Sequence, residues 1–186
     1  MPVCAAVAIS IVAGYALGSL PWAYVAARRR GIAIGEVDTR IAGTANVFRQ
    51  VGPAWGVLVF LGDAGKGAGA VVLANAIGAE GALALPALAA AIAGHNWPLL
   101  GLSQLPGGVG LATLSGGCFG AAWLIALPST ALGVAMIFVL RNTGVGAGFG
   151  LALYAVLGVV TGLDPWVMSG LASLGVLVVV WAKVRR

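Results

Sequence analysis

The stretch GLATLSGGCFGAAWLIALPSTALGVAMIFVLR, residues 110–141, decides the fold, because it determines how often the chain crosses a membrane. A crossing helix needs about 20 apolar residues, or about 17 when it is untilted. The Leu-Pro-Ser-Thr sequence at 127–130 therefore predicts two short helices, 110–127 and 129–140. The alternative is one helix from Cys118 to Leu140 that is kinked at Pro128.

The composition on either side of this stretch predicts an integral membrane protein. Of 186 residues, 61% are hydrophobic and 8% are charged, which leaves too little polar surface to cover a soluble core. The first apolar segment follows Pro2 and precedes an arginine triplet, whereas a signal peptide places its positive charges first. We therefore expect a retained span and an all-α fold, with residues 1–186 forming a single transmembrane helical domain.

The apolar segments predict about seven spans on this length criterion. They are residues 3–27, 53–77, 82–96, 110–127, 129–140, 147–162 and 165–182. Basic residues near span ends stay on the cytoplasmic side. With seven spans, an outside N-terminus and a cytoplasmic C-terminus, no basic residue lies outside. With six spans, Arg141 and the basic C-terminal tail would lie outside. The predicted cytoplasmic loops are about 28–52, 95–110 and 141–146.

The net charge of +5 follows from this topology. The basic residues lie at span ends and no soluble domain presents a patch, so we expect no nucleic-acid partner. Cys4 and Cys118 have neither a disulfide framework nor metal-ligand spacing around them, which indicates packing residues. We expect no metal and no cofactor.

The first cytoplasmic loop, RRRGIAIGEVDTRIAGTANVFRQVG at 28–52, is the longest polar segment. Arg49 can offer a bidentate fork to a phosphate, and Thr39, Thr44 and Asn46 add neutral donors, which indicates an anion site. The alternative is a solvated loop whose arginines face the membrane surface.

The second span contains FLGDAGKGAGA at 60–70, with two charges inside the bilayer. Asp63 and Lys66 are three residues apart, so they share a helix face and can pair. The pair predicts a site in which Lys66 supplies positive charge to an anionic substrate and Asp63 holds it in place. The alternative is a structural ion pair whose neighbouring glycines serve close helix packing.

The third span ends in AGHNWP, residues 93–98, and PGGVG follows at 106–110. His95 and Asn96 are therefore expected at the cytoplasmic interface, beside a glycine-rich turn that can direct backbone N–H groups at a phosphate ahead of the next helix. The alternatives are a tight re-entrant turn and an interfacial histidine that only donates a hydrogen bond.

The ordered motifs resemble those of the bacterial acyl-phosphate:glycerol-3-phosphate acyltransferases of the PlsY type. They are GSLPWAYVAA (18–27), GTANVFRQVG (43–52), GDAGKGAGAVVLA (62–74), AGHNWP (93–98) and GGVGLAT (107–113). The resemblance implies transfer of a fatty acyl group from acyl phosphate to the 1-hydroxyl of glycerol 3-phosphate, giving lysophosphatidic acid. It also implies a multi-pass protein of the bacterial inner membrane, with a cytoplasmic active face and contact with membrane lipid.

The resemblance assigns roles to residues that match its motifs. The predicted catalytic residues are His95, Asn96, Lys66 and Arg49. The predicted substrate-binding and phosphate-binding residues are Thr39, Arg40, Asn46, Asp63, Gly107, Gly108, Gly110 and Arg141. The chain departs from the family pattern at Asp38 and Ile41, and at Pro106 and Val109, where the glycine loop usually carries basic residues. Arg40 is expected to compensate from the first loop.

An acyl phosphate is already activated, so positioning and charge neutralisation can suffice for transfer without a nucleophilic serine or a metal. In the family that the chain resembles, the phosphate of the substrate can take the proton. Two other functions stay open from the residues alone. One is a catalytically impaired relative that binds a phosphorylated ligand or lipid, and the other is a small transporter built around Asp63 and Lys66.

Overall fold

The computed structural model describes residues 1–98 and 107–184, and all regular structure in these ranges is helical. The helices are α1 (Val3–Gly18), α2 (Trp22–Arg28), α3 (Thr44–Gln50), α4 (Pro53–Ala76), α5 (Leu85–Asn96), α6 (Leu111–Leu140), α7 (Thr143–Thr161) and α8 (Pro165–Val184), with a 3-10 turn at Gly81–Ala84 before α5. The expectations for Pro106, Arg185, Arg186 and part of the 95–110 loop lie outside the described residues.

Five segments in the described ranges are long and apolar enough to cross a membrane, which confirms the all-α membrane fold. They are Val3–Arg28, Pro53–Ala76, Leu111–Leu140, Thr143–Thr161 and Pro165–Val184, and Gly81–Asn96 is a shorter apolar helix. Exposed Leu, Val, Ile and Trp side chains cover these helices, as expected where the solvent is hydrocarbon.

Helix α6 is not one straight rod. Ala122 has φ −157° and ψ 82°, outside the helical region, and the hydroxyls of Ser115 and Thr130 lie 2.9 Å apart. In a straight helix, 15 residues would separate these hydroxyls by about 22 Å along the axis. The chain therefore doubles back at Ala122, so that α6 is a helical hairpin with a first arm at 111–121 and a second arm at 123–140.

The break therefore lies at Ala122, and the prediction that Pro128 separates two spans at 127–129 was wrong about its position. Pro128 lies inside the second arm. Membrane helices tolerate proline because nearby hydroxyls and neighbouring helices compensate for the lost hydrogen bond. The carbonyl that loses its helical donor at Pro128 is that of Leu124, whereas the neighbouring Ser129 hydroxyl donates to the Ile125 carbonyl at 2.6 Å.

A second break divides the predicted first span, which was expected to be continuous over 3–27. Helix α1 ends at Gly18 and α2 begins at Trp22, with Pro21 between them. Proline disfavours the helical conformation in the residue before it and cannot donate the next helical hydrogen bond. Pro21 was thus a signal for a break, but the apolar length of the segment favoured the prediction of one continuous span.

Close backbone contacts set the directions of the helices around the site. A Cβ added at Gly14 or Gly18 would overlap the backbone of Ala87 or Ala91, so α1 and α5 run side by side in the same direction. In the same way, Gly67 of α4 lies against the Thr113 backbone in the first arm of α6. Helix α4 packs mainly on α6, and α5 mainly on α1. The functional residues lie where these four elements meet.

Candidate functional site

A small cleft opens at the break between α1 and α2. One wall is the broken segment itself, from Gly18 to Tyr24. The other walls are Ala42 of the first loop, Asp63, Lys66, His95, Pro98, Gly107 and Gly108. The break thus creates the space in which the most polar residues of the membrane region meet.

Asp63, Lys66 and His95 form a contiguous buried cluster, which we call the polar cluster. The Lys66 Nζ lies 2.8 Å from Asp63 Oδ1 and 3.2 Å from His95 Nδ1, and His95 Nδ1 lies 3.5 Å from Asp63 Oδ1. The residues are 1%, 3% and 8% exposed, respectively. A buried charge needs a partner, and Asp63 and Lys66 supply each other with one.

Two elements hold the polar cluster in place. Asp63 and Lys66 lie three residues apart near the middle of α4, and this spacing puts both on one face of the helix. His95 comes from the last turn of α5. The predicted pairing of Asp63 with Lys66 is thus present in the cluster. The predicted role of Lys66, to supply positive charge to an anionic substrate, stays a prediction.

The start of the glycine loop packs directly on the end of α5. A Cβ on Gly108 would overlap His95 Nε2, and one on Gly107 would overlap the carbonyls of His95 and Asn96. In the orientation that satisfies its hydrogen bonds, the Asn96 amide donates to the carbonyls of Gly108 at 2.9 Å and Val109 at 3.2 Å. Gly110 has φ +95°, which favours glycine, and it precedes the first residue of α6.

His95 and Asn96 therefore have different local tasks, although they are adjacent. The His95 ring lies between the polar cluster and Gly108, whereas the Asn96 side chain fixes the backbone of the glycine loop. The structure brings together six predicted site residues: Asp63, Lys66, His95, Asn96, Gly107 and Gly108. Val109 is partly buried and packs on the apolar core.

Asn46 lies in a separate arrangement that holds the first loop together. Its Nδ2 donates to the carbonyls of Ile34, Val37 and Ile41, at 3.2, 3.1 and 3.1 Å. The residue is 2% exposed and lies in α3. The sequence predicted a phosphate donor here, but the amide hydrogens of Asn46 are directed at carbonyls of its own loop.

The charged residues of the first loop are more exposed. Arg49 pairs with Asp38, with Nε to Oδ2 at 2.7 Å, and the two side chains are 46% and 29% exposed. Thr39, Arg40 and Arg141 are exposed. Asp38, Arg40 and Arg141 have φ values of 50°, 57° and 50°, in the left-handed region. Asp38, which departs from the family pattern, thus engages the arginine that was predicted to bind phosphate.

Sequence reasoning missed the wall formed by the α1–α2 break. Ser19 is buried and its hydroxyl donates to the Tyr15 carbonyl at 2.8 Å, while the Trp22 ring packs against Gly62 of α4. The Tyr15 hydroxyl donates to the carbonyl of Trp97 at 2.5 Å and ties α1 to the end of α5. Pro21, inside an apolar run, was the signal that could have revealed this wall.

The arrangement suits an anionic substrate that carries an apolar chain. A buried histidine and a constrained glycine backbone face one side of the cleft, and Leu20 and Trp22, 38% and 42% exposed, flank the other. Backbone N–H groups of a glycine-rich turn ahead of a helix favour phosphate.

The chain is similar throughout its length to known proteins. A family model described as glycerol-3-phosphate acyltransferase matches residues 8–186. The glycerol-3-phosphate acyltransferase of Parasynechococcus marenigrum (strain WH8102) is 39% identical over 183 residues, covering 95% of this chain and 84% of that protein. The glycerol-3-phosphate acyltransferase of Synechococcus sp. (strain CC9902) is 41% identical over 130 residues, covering 69% of this chain and 64% of that protein.

The fold is also similar to that of a solved structure. The crystal structure of PlsY (YgiH), described as an integral membrane glycerol 3-phosphate acyltransferase in its glycerol 3-phosphate form, superimposes with a TM-score of 0.83. The two sequences are 24% identical, and the match covers 95% of this chain and 88% of the other. The lysophosphatidic acid form of the same protein matches with a TM-score of 0.81.

Proposed function

The chain belongs to the glycerol-3-phosphate acyltransferase family, and we propose that it takes its acyl group from acyl phosphate at the cleft between α1, α4 and α5. The protein is a multi-pass membrane enzyme of phospholipid synthesis that acylates glycerol 3-phosphate. The product is lysophosphatidic acid. The observation that carries the proposal is the polar cluster, which is buried in the membrane region and lines this cleft beside Gly107 and Gly108.

The reaction forms an ester bond between the acyl carbon and the 1-hydroxyl oxygen of glycerol 3-phosphate and breaks the acyl carbon to phosphate oxygen bond. The hydroxyl proton goes to the departing phosphate. Phosphate is already a good leaving group, so the protein has to orient two anions and stabilise the oxyanion that forms between them. His95 and the backbone of Gly107 and Gly108 are the groups nearest the space where this charge would develop.

The shape of the cleft supports access from the lipid for the acyl donor. Leu20 and Trp22 both line the cleft and are exposed on the side of the bundle that the bilayer would cover. A fatty acyl chain can lie along these side chains while its phosphate reaches the glycine loop. A transporter would instead need a polar path on the far side of His95, and there Ala87, Leu88, Ala91 and Ile92 of α5 are buried in the core.

We infer that the chain crosses the membrane seven times, with its N-terminus outside and its C-terminus in the cytoplasm. The hairpin of α6 adds one crossing to the five long segments, and the 3-10 turn with α5 supplies the seventh. Arg28, Arg40, Arg141 and Lys183 then all lie on the cytoplasmic side, as basic residues near span ends should. We place the enzyme in the bacterial inner membrane, because its spans are helical and its named relatives are bacterial.

The test is release of inorganic phosphate by the purified protein in lipid, given palmitoyl phosphate with and without glycerol 3-phosphate. Release that requires glycerol 3-phosphate is expected, and Lys66→Ala should lower it on the order of 10²-fold. Lys183→Ala is the matched control, because Lys66 and Lys183 are the two lysines of the chain, and it should keep the rate of the unsubstituted protein. A folded protein that binds the donor without releasing phosphate would contradict the proposal and indicate a binding relative.

A further inference from the structure

We propose that the Asp63–Lys66 pair is a positioning device that holds His95 in one neutral tautomer, with the ring proton on Nε2. The inference rests on the function proposed above, because it assigns roles within the same cleft. Under it, Lys66 and Asp63 act through His95 and not by contact with substrate. His95 then offers a hydrogen-bond donor to the glycine-loop side of the cleft.

The geometry at Nδ1 determines the tautomer. The Lys66 Nζ lies 2.8 Å from Asp63 Oδ1 and 3.2 Å from His95 Nδ1, so one ammonium group reaches both partners. An ammonium group has three donors and no acceptor. Across the 3.2 Å contact with a charged Lys66, His95 Nδ1 accepts a hydrogen bond, which puts the single proton of the neutral ring on Nε2. The competing tautomer, with its proton on Nδ1, would have to donate to Asp63 Oδ1 over the longer distance of 3.5 Å.

The alternative is a neutral lysine beside an imidazolium, and two observations oppose it. The Asp63 carboxylate is 2.8 Å from the lysine nitrogen and 3.5 Å from the histidine nitrogen, so it favours a charge on Lys66. A primary amine is also intrinsically about four orders of magnitude more basic than an imidazole. A second alternative is a charge on all three residues at once, but this would leave the buried polar cluster with a net positive charge, which is costly where little water reaches.

The consequence concerns the other end of the ring. His95 Nε2 lies against Gly108, because a Cβ on that glycine would overlap it. A protonated Nε2 can donate to a phosphate oxygen or to the oxyanion that forms during transfer, but it cannot accept the hydroxyl proton of glycerol 3-phosphate. The buried ion pair thus decides that His95 stabilises negative charge and does not act as a general base.

The tautomer can be observed directly because His95 is the one histidine of the chain. We would incorporate ¹⁵N-labelled histidine into the full chain, purify it through a tag without histidine, and record the two ring-nitrogen resonances in lipid by solid-state NMR. The expected spectrum shows a protonated Nε2 and an unprotonated Nδ1. A protonated Nδ1, in either the other tautomer or an imidazolium, would overturn the proposal without any variant.

The dependence on the ion pair is tested with Lys66→Met, and Lys183→Met is the matched control. Lys66→Met leaves the Asp63 carboxylate as the remaining partner of His95 Nδ1, so the ring proton should move to Nδ1. Turnover should then fall on the order of 10²-fold, the usual effect of losing one preorganised donor. Lys183→Met should change neither measurement. A Lys66→Met protein that keeps the pure Nε2–H tautomer would show that the pair does not set it. If this variant does not fold, the spectrum of the unsubstituted protein still decides.

The two proposals fail in different ways. Absence of phosphate release by the unsubstituted protein would refute the acyl transfer, whatever the tautomer. Normal release combined with a protonated Nδ1 would refute the positioning role and leave the acyltransferase reaction intact.

Discussion

The polar cluster and the first loop both carry residues that resemble catalytic motifs, but the structure uses those residues in different ways. In the polar cluster, Asp63, Lys66 and His95 contact one another and face a cleft. In the first loop, the Asn46 amide donates to three carbonyls of its own loop, and Arg49 pairs with Asp38. The comparison shows that the direction of a polar group's hydrogen bonds, more than its presence in a motif, indicates its task.

A substitution that crowds the polar cluster should affect turnover more than any substitution in the first loop. Gly108→Ala places a Cβ where His95 Nε2 lies, so the ring or the loop must move. We expect turnover to fall on the order of 10²-fold or more, since a displaced donor no longer meets the developing charge. Phosphate release under saturating substrates is the measurement.

The matched control for crowding is Gly148→Ala in α7. A Cβ at Gly148 meets nothing within 4 Å, so turnover should be unchanged and helix stability slightly higher. Equal turnover in the two variants would mean that Nε2 takes no part in the reaction.

A smaller effect is expected from a substitution in the first loop. Asn46→Ala removes the donor shared by the carbonyls of Ile34, Val37 and Ile41, and we expect a loss of about 1–3 kcal/mol in the free energy of unfolding. Unfolding of the detergent-solubilised protein measures this loss. Asn75→Ala is the control, because Asn75 Oδ1 has no hydrogen-bond partner among the described residues and its loss should matter less. If Asn46→Ala leaves the free energy of unfolding unchanged but abolishes turnover, Asn46 contacts the substrate instead of holding the loop.

The smallest expected effect is at Arg49 and Asp38. Both side chains are partly exposed, so a double-mutant cycle with Arg49→Ala and Asp38→Ala should give a coupling of about 1 kcal/mol or less in unfolding stability. The predicted phosphate role of Arg49 is checked in the same proteins. If Arg49 also binds substrate, Arg49→Ala raises the KM for glycerol 3-phosphate and Asp38→Ala does not. Equal KM values in the Arg49→Ala and Asp38→Ala proteins would show that Arg49 has only a structural role in the loop.

Much of the fold follows from local sequence. The apolar lengths predicted the long spans, and the spacing of Asp63 and Lys66 predicted their pairing on one helix face. The break at Ala122 could not be predicted, because alanine favours helices and the break exists only through tertiary contacts such as Ser115 with Thr130. Proline at 128 was a local signal that tertiary packing overrode.

Some contacts in the candidate site were likewise predictable from the sequence, and others were not. The short motifs predicted that His95, Asn96 and the glycines are neighbours, since they are close in sequence. The contact of His95 with Lys66 joins residues 29 apart, and only the packing of α5 beside α4 reveals it. The engagement of Arg49 by Asp38 likewise depends on the left-handed conformation of Asp38, which its residue type alone does not specify.

The hairpin of α6 has a consequence for the biosynthesis of the protein. During membrane insertion, residues 111–140 present one apolar segment of 30 residues, and the first arm, about 17 Å long, is shorter than the hydrocarbon core of about 30 Å, so it cannot insert as an independent span. Under the seven-span topology proposed above, the two arms enter the membrane together, with both flanks left on the cytoplasmic side. A chain that instead passed straight through would deliver α7 and α8 in inverted orientation, so the turn at Ala122 sets the sidedness of everything that follows it.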